Sequence, residues 1–128
     1  MGFRRTAGHV EVEYLSAEDM DPAAQPQLLE AIVRELERSP VSVLFVVNTL
    51  DVPRSVPEFW FGVTKQYAPR LCAMAVVSDS LAVRASASGF SVTNRVRRVK
   101  TAVRSFLPAD LELAREWCAE RRAAVAAS

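Results

Sequence analysis

Histidine is almost absent from this chain of 128 residues, and cysteine is scarce. His9 is the single histidine, while Cys72 and Cys118 lie in separate apolar segments without the C-x-x-C spacing of metal or redox sites. A metal site is therefore not expected, and both cysteines are predicted to be free thiols in a reducing compartment. A serine hydrolase triad is also unsupported, because there is no G-x-S-x-G motif and His9 is a predicted surface residue near the N-terminus.

Glycine is also scarce, and its four positions are scattered along the chain. They form neither a phosphate-binding loop nor a dinucleotide fingerprint, so no nucleotide cofactor is expected. Long apolar runs are missing as well: no segment approaches the length of a membrane span, and no apolar core of a secretory signal follows the two N-terminal arginines. We expect a cytoplasmic protein with no membrane span, no cofactor and no catalytic residues.

The charges nearly cancel, at a formal +1, but they are unevenly placed. Glu11–Glu37 contains eight acidic residues and one arginine, whereas Ser91–Phe106 contains five basic residues and no acid. The basic segment would suit a nucleic-acid backbone, but it lacks aromatic residues that stack on bases. We interpret it as a strand edge whose charges prevent pairing with other sheets, and nucleic acid is not expected as a partner.

Apolar patterning predicts strands at 3–6, 10–14, 41–47, 71–77 and 101–106. The first two form an antiparallel hairpin at the sheet edge, with Glu11 and Glu13 facing water. The segments 41–47 and 71–77, VSVLFVV and LCAMAVV, are continuously apolar, which is typical of parallel strands covered on both faces.

Helices are predicted to begin at about Pro22, Val56, Leu81 and Pro108, after residues suited to capping. The third is expected to end at Ala87, with Gly89 as its left-handed cap. The alanine-rich tail 123–128 is expected to fray. Half of the residues are hydrophobic, enough for one core, so the chain is interpreted as a single α/β domain over 1–128. Its sheet is predicted to be mainly parallel, with four or five strands and helices on both faces.

This order resembles the STAS domain, the fold of anti-sigma-factor antagonists, and especially its SpoIIAA-like branch. The resemblance covers nearly the whole chain and depends on three segments: VSVLFVVNTLD, LCAMAVVSDSLAVRASASGF and FLPADLELAREWC. It implies a non-enzymatic domain that regulates through protein interaction.

In regulatory STAS proteins, a Ser or Thr at the start of the helix after the central strand accepts a phosphate. The resemblance places Ser55 at that position, although larger residues replace the small ones of the family's Asp-Ser-Ser-Gly type motif. Ser55 and Glu58 also have the S-x-x-E spacing of a helix capping box, which is a purely structural interpretation. Asp51 and Glu58 flank the strand tip and are interpreted as turn and cap residues rather than as an acid/base pair.

The aromatic run Phe59-Trp60-Phe61 is the clearest functional indication. Successive helical residues point about 100° apart, so the three rings cannot all face the sheet and at least one is predicted to be partly exposed. Together with Asp51 and Arg54 these residues form the predicted partner or ligand face, unless a neighbouring helix or the preceding loop covers the rings. The leading hypothesis is a homodimer or a complex with another protein; the alternative is a carrier of a small apolar or lipid-like ligand.

Overall fold

The computed structural model describes residues 1–6, 9–48 and 52–127. Within these ranges one sheet contains five strands, β1 (Gly2–Arg5), β2 (Val10–Tyr14), β3 (Val41–Val47), β4 (Leu71–Val77) and β5 (Ala102–Phe106). They lie side by side in chain order, with β1 antiparallel to β2 and every later pair parallel. The predicted edge hairpin and mainly parallel sheet are confirmed.

Four α-helices occur in the described residues: α1 (Gln25–Leu36), α2 (Ser55–Tyr67), α3 (Leu81–Val96) and α4 (Leu111–Ala126). Short 3-10 turns precede α1 and α4. None of these helices is both long and apolar enough to cross a membrane.

The predicted end of α3 at Gly89 is wrong, because the helix continues through this glycine to Val96. Val83, Ala87 and Asn94 are buried at helical spacing and Phe90 packs against the core, so one stripe of α3 contacts the sheet along its length. This tertiary packing outweighs the cost of about 1 kcal/mol for a glycine inside a helix.

The helices are divided unequally between the two faces of the sheet. Side chains such as Ile32 of α1, Trp60 of α2 and Val83 of α3 pack in one cluster on the first face, whereas α4 packs on the other face with Ala114 and Cys118. Helices on both faces are thereby confirmed. Because consecutive parallel strands are added in one direction, right-handed crossovers place all three connecting helices on the same face.

A buried ion cluster lies between the sheet and α4. Glu11 is only 9% exposed and His9 only 8%. One Glu11 carboxylate oxygen accepts a hydrogen bond from Arg115 Nε at 2.6 Å and lies 2.9 Å from His9 Nε2, and the other accepts from Arg4 Nη2 at 3.0 Å. The predictions that Glu11 faces water and that His9 is a surface residue are wrong, because Arg115 of α4 covers this part of β2 and neutralises the carboxylate. Glu13 is exposed as predicted.

The ion cluster sets the acidity of Glu11. Burial alone would raise the pKa of this carboxyl, but hydrogen bonds with Arg115 and His9 and the charges of Arg115 and Arg4 more than offset that effect. The pKa is lowered from 4.5 to about 2. The folded state therefore binds this proton more weakly than the unfolded chain does.

We predict that Glu11 makes the fold sensitive to acid. Its ionised form stabilises the folded state fully above pH 4.5, by up to about 3 kcal/mol, and this contribution is lost as the pH falls towards about 2. Urea unfolding between pH 7 and pH 3 should show Glu11→Gln less stable at neutral pH and less dependent on pH. Glu13→Gln, on the same strand and exposed, is the control and should keep the wild-type profile. Parallel profiles for wild type and Glu11→Gln would contradict the prediction.

Candidate functional site

A cleft of about 410 Å³ opens between α2 and α3 on the three-helix face of the sheet. Its floor is formed by residues in the C-terminal halves of the strands, among them Tyr14, Phe45, Val47 and Val76. In open α/β sheets this is the edge at which ligands bind, because the loops after the strands diverge there. The position therefore marks the cleft as the candidate site.

Three segments beside the sheet complete the walls of the cleft. Residues 52, 54 and 56–58 line its mouth, Trp60 of α2 lies deeper, and one side of α3 from Ala82 to Phe90 forms the opposite wall. The polar side chains at the cleft, among the residues described, are those of Tyr14, Arg54, Glu58 and Ser86. The lining is therefore mainly apolar and suits an apolar group better than a charged one.

The aromatic run is split by the structure. Trp60 is buried, at 4% exposure, and its ring centroid lies 4.9 Å from that of Phe45. Phe59 and Phe61 are half-buried, and Phe61 stacks on Phe90 of α3 with ring centroids 5.2 Å apart. Partial exposure of at least one ring is thus observed, but neighbouring side chains cover much of both outer rings.

The predicted site residues are only partly brought together. Arg54 and Trp60 line the cleft, whereas Phe59 and Phe61 lie on α2 outside its lining. Asp51 lies outside the described residues.

Ser55 is the first residue of α2 and is exposed. The predicted capping box with Glu58 is wrong, because α2 has no side-chain cap and Glu58 instead pairs with Arg54 Nε at 3.1 Å. Arg54 already has helical backbone angles, so the turn begins before Ser55 could cap it. The serine hydroxyl is thereby left at the surface beside the mouth of the cleft.

Sequence reasoning missed Gln25, whose buried amide supports the wall of the cleft. Its Oε1 accepts hydrogen bonds from the Tyr14 hydroxyl at 2.8 Å and from Trp60 Nε1 at 3.2 Å. Its Nε2 donates to the carbonyl oxygens of Asp19 at 2.8 Å and Asp21 at 3.0 Å. Gln25 lies three residues before Leu28 and seven before Ile32, so it continues the apolar stripe of α1. This spacing could have predicted that its side chain is buried.

This network holds the floor and wall of the cleft in place. The polar atoms of Tyr14, Gln25 and Trp60 are already paired within it. Burial raises the pKa of the Tyr14 hydroxyl well above its ordinary value, which keeps it protonated as a donor to Gln25. The Trp60 ring is oriented by its own bond to the same amide. The site can therefore accept an apolar group without reorganising its floor.

Neither of the two cysteine thiols lines the cleft. Cys72 and Cys118 are free and buried, and burial raises the pKa of the Cys118 thiol to about 12. In the described part of the chain, no three His, Cys, Asp or Glu side chains converge in a way that could hold a metal ion.

Comparison with known proteins identifies a family. The sequence model of the SpoIIAA-like family matches residues 9–119, which extend from just before β2 into α4 and include both walls of the cleft. No curated protein and no solved structure matches the chain significantly.

We predict that Gln25→Leu lowers the free energy of unfolding by about 3 kcal/mol. The substitution leaves the Tyr14 hydroxyl and the Trp60 indole N–H buried without an acceptor, at about 1–3 kcal/mol each. Gln27→Leu, on the exposed side of the same helix, is the matched control and should cost less than about 0.5 kcal/mol. Urea denaturation followed by tryptophan fluorescence measures both, and equal losses would show that the network does not support the site.

Proposed function

The chain belongs to the SpoIIAA-like family, and on that basis we propose that it is a non-catalytic regulatory domain that binds a protein partner at the cleft between α2 and α3. Membership of the family suggests a regulatory protein-interaction domain. The observation that supports this site for the interaction is a preformed, mainly apolar cleft at the C-terminal edge of the parallel strands.

The cleft has the composition of an interaction centre. Apolar side chains line its interior, and the exposed Arg54–Glu58 ion pair lies at its rim. An apolar centre surrounded by polar groups is the usual anatomy of a protein interface. Because an exposed ion pair of this kind contributes only about 0–1 kcal/mol, a partner can rearrange it at little cost.

A second copy of the chain is the simplest partner. Phe59 and Phe61 are half-buried on α2, and each leaves part of its ring exposed outside the cleft. Docking of two α2 helices would bury this surface in a symmetric interface, as most homodimers do. We therefore propose self-association through the face formed by residues 52–67.

Ser55 is proposed as the point at which this face is regulated. Its exposed hydroxyl lies at the start of α2, next to Arg54. A phosphate at this position would be favoured by the N-terminal end of the helix and by the guanidinium group, and it would add charge at the mouth of an apolar cleft. Phosphorylation would thus weaken binding of an apolar partner.

A small apolar ligand is the second candidate, in which case the chain acts as its carrier. The specific observation in its favour is the volume of about 410 Å³, which lies within the ordinary range for small-molecule pockets. The fixed floor around Trp60 and Gln25 also suits a ligand of defined shape.

We predict that filling the cleft abolishes recognition. Ala82 and Ala85 are both exposed on α3, but only Ala82 lines the cleft. Ala82→Trp should therefore block partner or ligand binding, whereas Ala85→Trp, the matched control, should leave it intact. Binding of 1-anilinonaphthalene-8-sulfonate, a small apolar fluorophore, provides the readout. Equal fluorophore binding by the two variants would contradict the assignment of the cleft as the binding site.

We further predict that Phe59→Asp disperses the homodimer. The added charge would be buried in the proposed α2 interface, whereas Leu113→Asp places the same charge on an exposed residue of α4. Light scattering after size exclusion should report a doubled chain mass for wild type and Leu113→Asp and a single mass for Phe59→Asp, with circular dichroism confirming that each variant is folded.

Native mass spectrometry of protein from its own source separates the candidate functions. A doubled chain mass supports self-association, added small-molecule mass supports the carrier, and the mass of a phosphate that disappears in Ser55→Ala supports regulation at Ser55. A wild-type protein that is monomeric by both methods would contradict the homodimer.

A further inference from the structure

A second groove, of about 480 Å³, follows the free edge of β5 and shares no lining residue with the cleft. Val103 lines it and packs on the three-helix face of the sheet, whereas Arg104 lies on the opposite face beside Trp117 of α4. Because residues from both faces of the sheet line this groove, it must pass over the edge of the sheet at β5. The outward N–H and C=O groups of β5, which pairs only with β4 in the described sheet, therefore open into this groove.

The groove is basic. Four of its lining side chains are cationic and none is acidic: Arg95, Lys100, Arg104 and Arg121. None of these four takes part in the ion pairs found among the described residues, in contrast to Arg4, Arg5 and Arg115 elsewhere. The basic segment Ser91–Phe106 is therefore not one charged strand edge, as the sequence was interpreted. Arg95 lies in the last turn of α3, and of the basic residues only Arg104 lies within β5.

Two buried polar atoms at the groove have no partner in the described part of the chain. Asn94 is 2% exposed, and its Nδ2 donates to Thr64 Oγ1 and to the Thr101 carbonyl, both at 3.3 Å, but its Oδ1 accepts no hydrogen bond. Arg121 Nε is likewise buried without an acceptor. Both side chains line the groove, so its wall contains polar groups that the described part of the chain leaves unsatisfied, which is costly in a folded protein.

We propose that this groove binds an extended acidic peptide segment of a partner protein, which adds to β5 as a further strand of the sheet. Backbone hydrogen bonds along the edge would supply affinity, as in other strand additions. The four cations would select Asp and Glu side chains and speed up association. The proposal is independent of the cleft and of what binds there.

Other occupants fit these observations less well. Pairing of two β5 edges from two copies would bring Lys100 and Arg104 of each chain close to those of the other, which like-charge repulsion opposes. A nucleic-acid backbone would neutralise the cations, but it would leave the strand's own N–H and C=O groups unpaired. Edge protection alone explains the exposed cations but not the buried, unpartnered Asn94 Oδ1.

The test uses the full chain, labelled with ¹⁵N, and a short synthetic peptide in which Glu and Val alternate. Adding the peptide should shift the amide resonances of β5 and of the end of α3, while those around the cleft stay in place. Methylating the backbone nitrogens of alternate peptide residues removes their donors and should weaken binding about tenfold or more. The Ala82→Trp variant should bind the peptide as wild type does, which keeps this test separate from that of the cleft.

Charge reversal provides the protein variants. Lys100→Glu with Arg104→Glu should weaken peptide binding about tenfold or more. Arg34→Glu with Arg38→Glu, both exposed, on α1 and in the turn that follows it, changes the net charge equally and should leave binding unchanged. Unmoved amides with the Glu-Val peptide, equal binding of its N-methylated form, equal effects of the two charge reversals, or tighter binding of a single-stranded DNA oligonucleotide of equal charge would each overturn the proposal.

Discussion

The stepwise addition of parallel strands in one direction is the constraint from which the rest of this structure follows. Because crossovers between neighbouring parallel strands are right-handed as a rule, α1, α2 and α3 share one face of the sheet, and α2 and α3 frame the cleft where the strands end. The opposite face then depends on α4, which is not a crossover and is joined to β3 by the Ser42 hydroxyl, a donor to the Cys118 carbonyl at 2.7 Å. Cleft and edge groove are both consequences of this topology.

Two buried polar clusters align the layers more specifically than apolar packing does. On the three-helix face, the Gln25 amide of α1 is bonded to β2 and α2 through one hydrogen bond each, and to the segment before α1 through two more. On the other face, the Glu11 carboxylate links β2 to Arg115 of α4. Each satisfied cluster penalises any shift of a helix along the sheet, because a shift would leave buried donors or charges unpaired. Apolar contacts alone tolerate such shifts more readily.

Most of the fold could be predicted from local patterns. The continuously apolar segments 41–47 and 71–77 are strands with the predicted bounds, and the antiparallel hairpin and the start of α2 lie within a residue or so of prediction. Of the predicted partner or ligand face, Arg54 and Trp60 line the cleft, although the sequence held no information on how α3 forms its second wall. The length of α3 was predicted wrongly because one glycine destabilises a helix only slightly, whereas α3 packs on the sheet along its whole length.

The errors concern residues whose environment comes from distant parts of the chain. Periodicity and composition suffice for strand positions, sheet type and the lack of a nucleotide-binding motif, since these depend on neighbours within one segment. Whether Glu11 faces water or Arg115, and whether Gln25 is exposed or meets Trp60, depends on contacts between residues far apart in sequence. Burial and charge pairing arise only when helices pack on the sheet, and for that reason the cleft and the basic edge groove emerge from the folded chain.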